Sequence, residues 1–192
     1  PSDVPGRVMK QTVVPDDSGY MTHEANAQAI AAEMGIGPQI HTLERFPGGV
    51  GNRIEMQDVR DNYDPVQNTP RPEYLKDPQL ILDVAKQRGM LALRGLEHDD
   101  IHTGNVFRHK MTGRPMLIDY GITFNLTGDA AKAQALADAT AEGFTAAGIP
   151  DAGDILRGIV FDHLEGGQVV EAMDVARQGF SRLQKIKNPL PA

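Results

Sequence analysis

Residues 97–105 read EHDDIHTGN, and residues 117–121 read LIDYG. The first stretch holds three acids, two histidines and an asparagine. Gly104 interrupts it, so it does not continue as one regular helix. In the second stretch Asp119 ends an apolar run and Tyr-Gly follows. Asparagine and aspartate oxygens are hard ligands that suit Mg²⁺, an ion that keeps bound phosphate. A second aspartate near the same point could orient or deprotonate a hydroxyl. Asp100, Asn105 and Asp119 together supply metal binding, a positioned nucleophile and charge neutralisation, which are the parts that phosphoryl transfer needs.

The rest of the composition is compatible with that chemistry and excludes others. The chain has 192 residues, enough for one compact domain or two small lobes. A chain of this size buries roughly 70% of its unfolded surface, so it needs no covalent staples. There is no Trp and no Cys. The core therefore rests on Leu, Ile, Val, Met and Ala, and neither a disulfide nor a thiolate metal site is possible. A net charge of −7 speaks against a nucleic-acid binder and against docking on an anionic membrane. No apolar run approaches the ~20 residues of a membrane span. The chain opens with Pro1 rather than Met, so targeting signals are not legible. The compartment stays open between the cytoplasm and delivery into a host cell.

Along the chain, RVMKQTVV at 7–14 reads as a strand and PDDSG at 15–19 as a turn. Thr22 is a candidate N-cap for a helix running to Met34, with Gly35 as its stop. QIHTLERF at 39–46 and NRIEMQDV at 52–59 read as a hairpin around PGGVG. RDNYDPVQNTPRP at 60–72 has three prolines and no period, and reads as a linker. Asp77-Pro78 reads as an N-cap followed by Pro at the first helical position, with a helix to about Arg94. VFRHKMTGRPMLIDYG reads as a hairpin turning at MTGR, with PMLI as a buried strand. Three further helices are expected over 129–147, 151–165 and 168–187. The first is Ala-rich. The last presents Val169, Met173, Ala176, Phe180 and Leu183 on one face.

The two opening stretches resemble the catalytic loop and the metal-binding motif of the protein-kinase-like superfamily. His98-Asp99-Asp100 stands where that family writes H-R-D, and Asp119-Tyr120-Gly121 where it writes D-F-G. The resemblance implies that Asp100 is the catalytic base and that Asn105 and Asp119 bind Mg²⁺. It gives His98 a structural role. His102 follows the aminoglycoside-phosphotransferase-like pattern H-G-D-L-H-x-G-N, and either contacts phosphate or packs. V-M-K at 8–10 is similar to the V-A-I-K strand, so Lys10 would hold the ATP phosphates and Glu24 would pair with it. I-E-M-Q-D-V at 54–59 is similar to a hinge strand whose backbone, from Gln57 to Val59, would bind adenine. The resemblance covers about residues 7–124.

Three departures accompany it. No Gly-rich phosphate loop stands before Lys10. No A-P-E motif follows D-Y-G. Asp99 replaces the arginine that gathers a phosphorylated activation loop. This compact layout is most similar to bacterial effector protein kinases.

The implied architecture is α+β. It is a two-lobe protein-kinase-like fold with a reduced antiparallel sheet plus one helix over 1–59, and a small, mostly helical lobe over 60–192. The implied activity is ATP- and Mg²⁺-dependent phosphotransfer to a Ser/Thr hydroxyl of a protein. Two readings compete with it. One is a degenerate kinase-like module that docks in a larger assembly, and the other is a small-molecule kinase of the aminoglycoside type. A protein substrate, or a host or assembly partner, is expected in preference to a small molecule, with no nucleic acid and no membrane.

Overall fold

The computed structural model describes residues 2–11, 19–46, 51–66 and 77–189. The expected turn residues 15–18 and 47–50, and the expected linker from 67 to 72, lie outside the described residues. Packing groups the chain into two compact units, residues 1–69 with 99–123 and residues 70–98 with 124–192. This grouping differs from a division of the sequence at residue 59. It draws residues 99–123 into the first unit.

The first unit is built on a three-stranded antiparallel sheet of β1 (Arg7–Gln11), β2 (Ile40–Arg45) and β3 (Asn52–Gln57), in the order β1-β3-β2. Helix α1 (Tyr20–Glu33) covers it. Ile54 is fully buried beneath Met21 and Ala25 of α1, with Ile40, Leu43 and Met56 packed around them. Lys10 is paired with Ile54 across β1 and β3. Cross-strand partners share a face, so Lys10 also points to the side that α1 covers.

Thr22 is not the cap of α1. The helix starts at Tyr20, its N-cap is Gly19 at φ 72, and no side chain caps it. Gly19 takes the left-handed conformation that glycine adopts at least cost. The Thr22 hydroxyl instead accepts from Arg45 Nη2 at 3.0 Å. Gly35 follows the helix end at φ 72, as the stop signal implied.

The stretch from 60 onward also differs from a plain linker. Tyr63–Pro65 forms β4, which pairs antiparallel with β6 (Val106–His109). β6 pairs in turn with β7 (Pro115–Leu117), giving the order β4-β6-β7. Pro65 lacks an N–H and is tolerated because β4 is an edge strand. The β6–β7 turn sits where MTGR implied it, with Gly113 at φ 71 and its N–H donating to His109 O at 2.9 Å. The Leu117 N–H donates to Ile36 O at 2.9 Å, which ties β7 to the segment after α1.

The second unit is helical. α2 (Pro78–Leu93) opens on Asp77, whose Oδ1 accepts from Leu80 N at 3.0 Å, and Pro78 stands at the first helical position. β5 (Leu96–His98) follows α2, and β8 (Thr123–Asn125) precedes α3 (Gly128–Ala146), α4 (Pro150–Glu165) and α5 (Val169–Lys185). Its core gathers Leu82, Leu136, Phe144, Met173, Phe180 and Leu183 with many alanines. Close approach between helices comes from glycine. A Cβ on Gly89 would lie 2.2 Å from the Phe180 ring, and one on Gly143 2.7 Å from Leu183. Each fully buried Leu or Phe contributes about 1.5–3 kcal/mol. The Ala-rich α3 brings little area of its own and instead lets larger side chains reach it. No helix among the described residues is long and apolar enough to cross a membrane.

Candidate active site

The first unit carries a charged cluster that three separate segments build. Lys10 Nζ donates to Glu24 Oε1 at 2.7 Å and to Asp119 Oδ1 at 2.8 Å. β1 supplies the lysine and α1 the glutamate, and the turn after β7 supplies the aspartate. Glu24 is fully buried, whereas Lys10 and Asp119 are partly open to solvent.

Asp119 has φ 58, the only positive φ of a non-glycine among the described residues. The left-handed region costs an L-residue roughly 1–2 kcal/mol, and aspartate is among the types that tolerate it. This conformation lets the chain reverse directly after an apolar strand. Tyr120 is fully buried and its hydroxyl donates to Ile36 O at 3.4 Å. Burial pushes the Tyr120 hydroxyl far above the usual tyrosine range.

The Lys10 ammonium is subject to opposing effects. Burial alone would lower it, but hydrogen bonds and charges from Asp119 and Glu24 outweigh burial and hold it above its ordinary value. Burial pushes the Glu24 carboxyl up against the pull of Lys10, and the charge of Asp119 adds to the rise. Glu24 Oε2 and Gln28 Oε1 are buried and accept no hydrogen bond from the described residues.

The loop that carries Asp100 and Asn105 is ordered from within. Asn105 Nδ2 donates to Asp100 O at 2.9 Å and to Asp100 Oδ2 at 3.0 Å. Both contacts use the amide nitrogen, so the Asn105 carbonyl oxygen points away from Asp100. The Ile118 N–H donates to Asn105 O at 3.0 Å, and the Asp99 N–H to Ile122 O at 3.0 Å. These two bonds tie the loop to the chain on either side of the Asp119 turn. His102 is exposed. Its Nδ1 accepts from Gly104 N at 3.0 Å, and its Nε2 lies 3.6 Å from Asp100 Oδ1. His98 is buried at the end of β5.

A cavity of about 250 Å³ lies within the first unit. Lys10, Glu24 and Asp119 line it, and so do Gln57, Asp58 and Val59. Val8, Met56, Phe107 and Ile118 give it apolar walls. Asp100, Asn105 and His102 are not part of that lining. The backbone of 57–59 is only partly available to a ligand. Gln57 N donates to Gln39 O and Asp58 N to Gly6 O, both at 2.8 Å, whereas Val59 N has no acceptor among the described residues.

Lys10, Glu24 and Asp119 sum to two carboxylates and one ammonium, a balance that favours an added cation. Among the described residues no three His, Asp or Glu side chains gather to hold a metal ion. The oxygens of Asn105 and Asp119 still match the donor set of an ion that keeps most of its shell for water and phosphate.

Gln28 and Met56 were not singled out from the sequence. Gln28 stands one helical turn after Glu24, so same-face spacing on α1 was the available signal. Its Nε2 donates to Pro38 O at 3.1 Å and lies 3.5 Å from Met56 Sδ, at the cavity wall.

No family model matches the chain, and no curated protein matches it. Among solved structures it is similar to the kinase PK-1 of the Cydia pomonella granulovirus. The identity is 16% and the TM-score 0.47, over 62% of this chain and 45% of that one. The chain thus spans less than half the length of that viral kinase.

Proposed function

We propose that this chain is a phosphotransferase that uses ATP and Mg²⁺, and that its acceptor is a protein Ser or Thr hydroxyl, as in effector-type kinases. The observation that carries the reading is Lys10, which bridges Glu24 and Asp119 in the lining of an apolar-walled cavity. An ammonium held between two carboxylates, one of them buried, is a fixed point charge. It suits the α- and β-phosphates of a nucleotide whose base enters the cavity. Val59 N–H would donate to the base.

Asn105 and Asp119 would hold Mg²⁺, which neutralises phosphate charge when bound. The acceptor hydroxyl attacks the γ-phosphorus, and the bond from that phosphorus to the β–γ bridging oxygen breaks. ADP leaves and the hydroxyl proton passes to Asp100. The Asn105 amide bonded to Asp100 Oδ2 would hold that carboxylate in place for the transfer.

Calorimetric titration with Mg-ATP, combined with labelled-ATP transfer to a generic protein acceptor, tests this. Wild type should bind Mg-ATP and transfer phosphate. Asp119→Ala should lose metal-dependent binding. Asp100→Asn should bind normally and transfer at least 10²-fold more slowly, the scale of a lost general base. Equal Mg-ATP binding by wild type and Asp119→Ala would overturn the site assignment.

A further inference from the structure

Tyr20 opens α1, one helical turn before Glu24, so both side chains project from one face of the helix. The ring of Tyr20 reaches the turn that carries Asp119. Its hydroxyl lies 2.0 Å from the point where a Cβ on Gly121 would stand, and Asp119 Oδ1 lies 3.3 Å from the same point. Only a residue without a side chain admits the ring tip there. Gly121 is not among the glycines with positive φ, so a methyl at that position meets Tyr20 and not a backbone restriction. The hydroxyl sits among the charges of Glu24, Lys10, Asp119 and Asp100.

We propose that Tyr20 is a positioning residue for Asp119, its ring tip over Gly121 latching α1 to the Asp119–Gly121 turn. Helix α1 then grips that turn twice. Glu24 acts through Lys10, and Tyr20 acts through Gly121. The second grip holds Asp119 in its left-handed conformation with the carboxylate turned toward Lys10. This role rests on the phosphotransfer reading, because it matters only if Asp119 binds a metal.

Two measurements on the full chain test it. The first is thermal unfolding without ligand for wild type, Gly121→Ala, Tyr20→Ala and the double variant. Gly121→Ala should lower the melting temperature, and the same change in the Tyr20→Ala background should lower it much less. Strictly additive shifts would overturn the latch. The second is the Mg²⁺ concentration that gives half-maximal ATP binding. Tyr20→Ala should raise it about tenfold, the scale seen when a group supporting a metal ligand is removed, and Tyr20→Phe should recover part of the loss. An unchanged Mg²⁺ requirement in Tyr20→Ala, with the melting shifts coupled, would overturn the positioning role. A wild type that binds no Mg-ATP would overturn the phosphotransfer reading instead, while the melting data still decide whether the latch exists.

Discussion

The two compact units bury different things. In the helical unit the interior is mainly Leu, Phe, Met and Ala, its buried polar residues Gln87, His98 and Thr140 include no carboxylate, and glycines such as Gly89 and Gly143 are the sockets that receive larger neighbours. In the unit that carries the candidate site, Glu24, Gln28, Asn52 and Asn105 are buried among the apolar residues. Buried polar groups are expensive unless they are paired. Glu24 keeps one carboxylate oxygen without a hydrogen-bond partner among the described residues. Methyl groups packed against glycines give stability with little chemistry. A buried carboxylate facing an ammonium gives up stability and gains a fixed charge.

The contrast predicts that damage divides by unit. The largest loss of stability should come from Phe180→Ala, which empties the socket at Gly89. Large-to-small changes of this kind cost about 3–5 kcal/mol, read by urea unfolding. Mg-ATP affinity of the fraction still folded should stay within a few-fold of wild type. A large loss of affinity in Phe180→Ala would break the division.

Lys10→Met comes next. Removing one partner of a buried ion pair costs about 3–5 kcal/mol, and the partial exposure of Lys10 lowers this to about 1–3. The sign of its pH dependence is fixed by Glu24. A carboxyl raised above its unfolded value contributes its full stability below that value and loses it as pH climbs through the folded pKa. Without Lys10 the buried carboxylate is hardest to tolerate when charged. The cost of Lys10→Met should therefore shrink on acidification, measured by urea unfolding at about pH 8 and about pH 5. A cost that grows toward acid pH would sink this account of the pair. In wild type the contribution of Lys10 has its own window. It is intact below the unfolded lysine value of 10.5 and is lost as pH rises through the raised folded value.

The smallest effect should be Asp77→Ala. It removes the side-chain cap of α2 and should cost about 1 kcal/mol in urea unfolding. Transfer activity should not change.

The helical unit was the more legible of the two. The expected spans 129–147, 151–165 and 168–187 differ from the observed helices by one or two residues, because a 3.6-residue period and glycine stops are local signals. The Asp77-Pro78 start was readable for the same reason. The site unit was less legible where partners are distant in sequence. β4 forms because β6 offers it an edge, and nothing between residues 60 and 66 announces that. Thr22 looked like a cap, yet Gly19 and the packing of Tyr20 set the helix start. The motif residues could be picked out one by one. The resemblance implied the pairing of Lys10 with Glu24, but the second bond from Lys10 to Asp119, and the left-handed conformation of Asp119, needed the fold to bring β1, α1 and the turn after β7 together.

One consequence of the Lys10 bridge concerns chemical reactivity. An amine attacks an acylating reagent only through its free lone pair. Two carboxylates hold the Lys10 proton in place, so this nitrogen carries less free base at neutral pH than a surface lysine does. The residue at the centre of the site is therefore also the one that an amine-directed label should modify last.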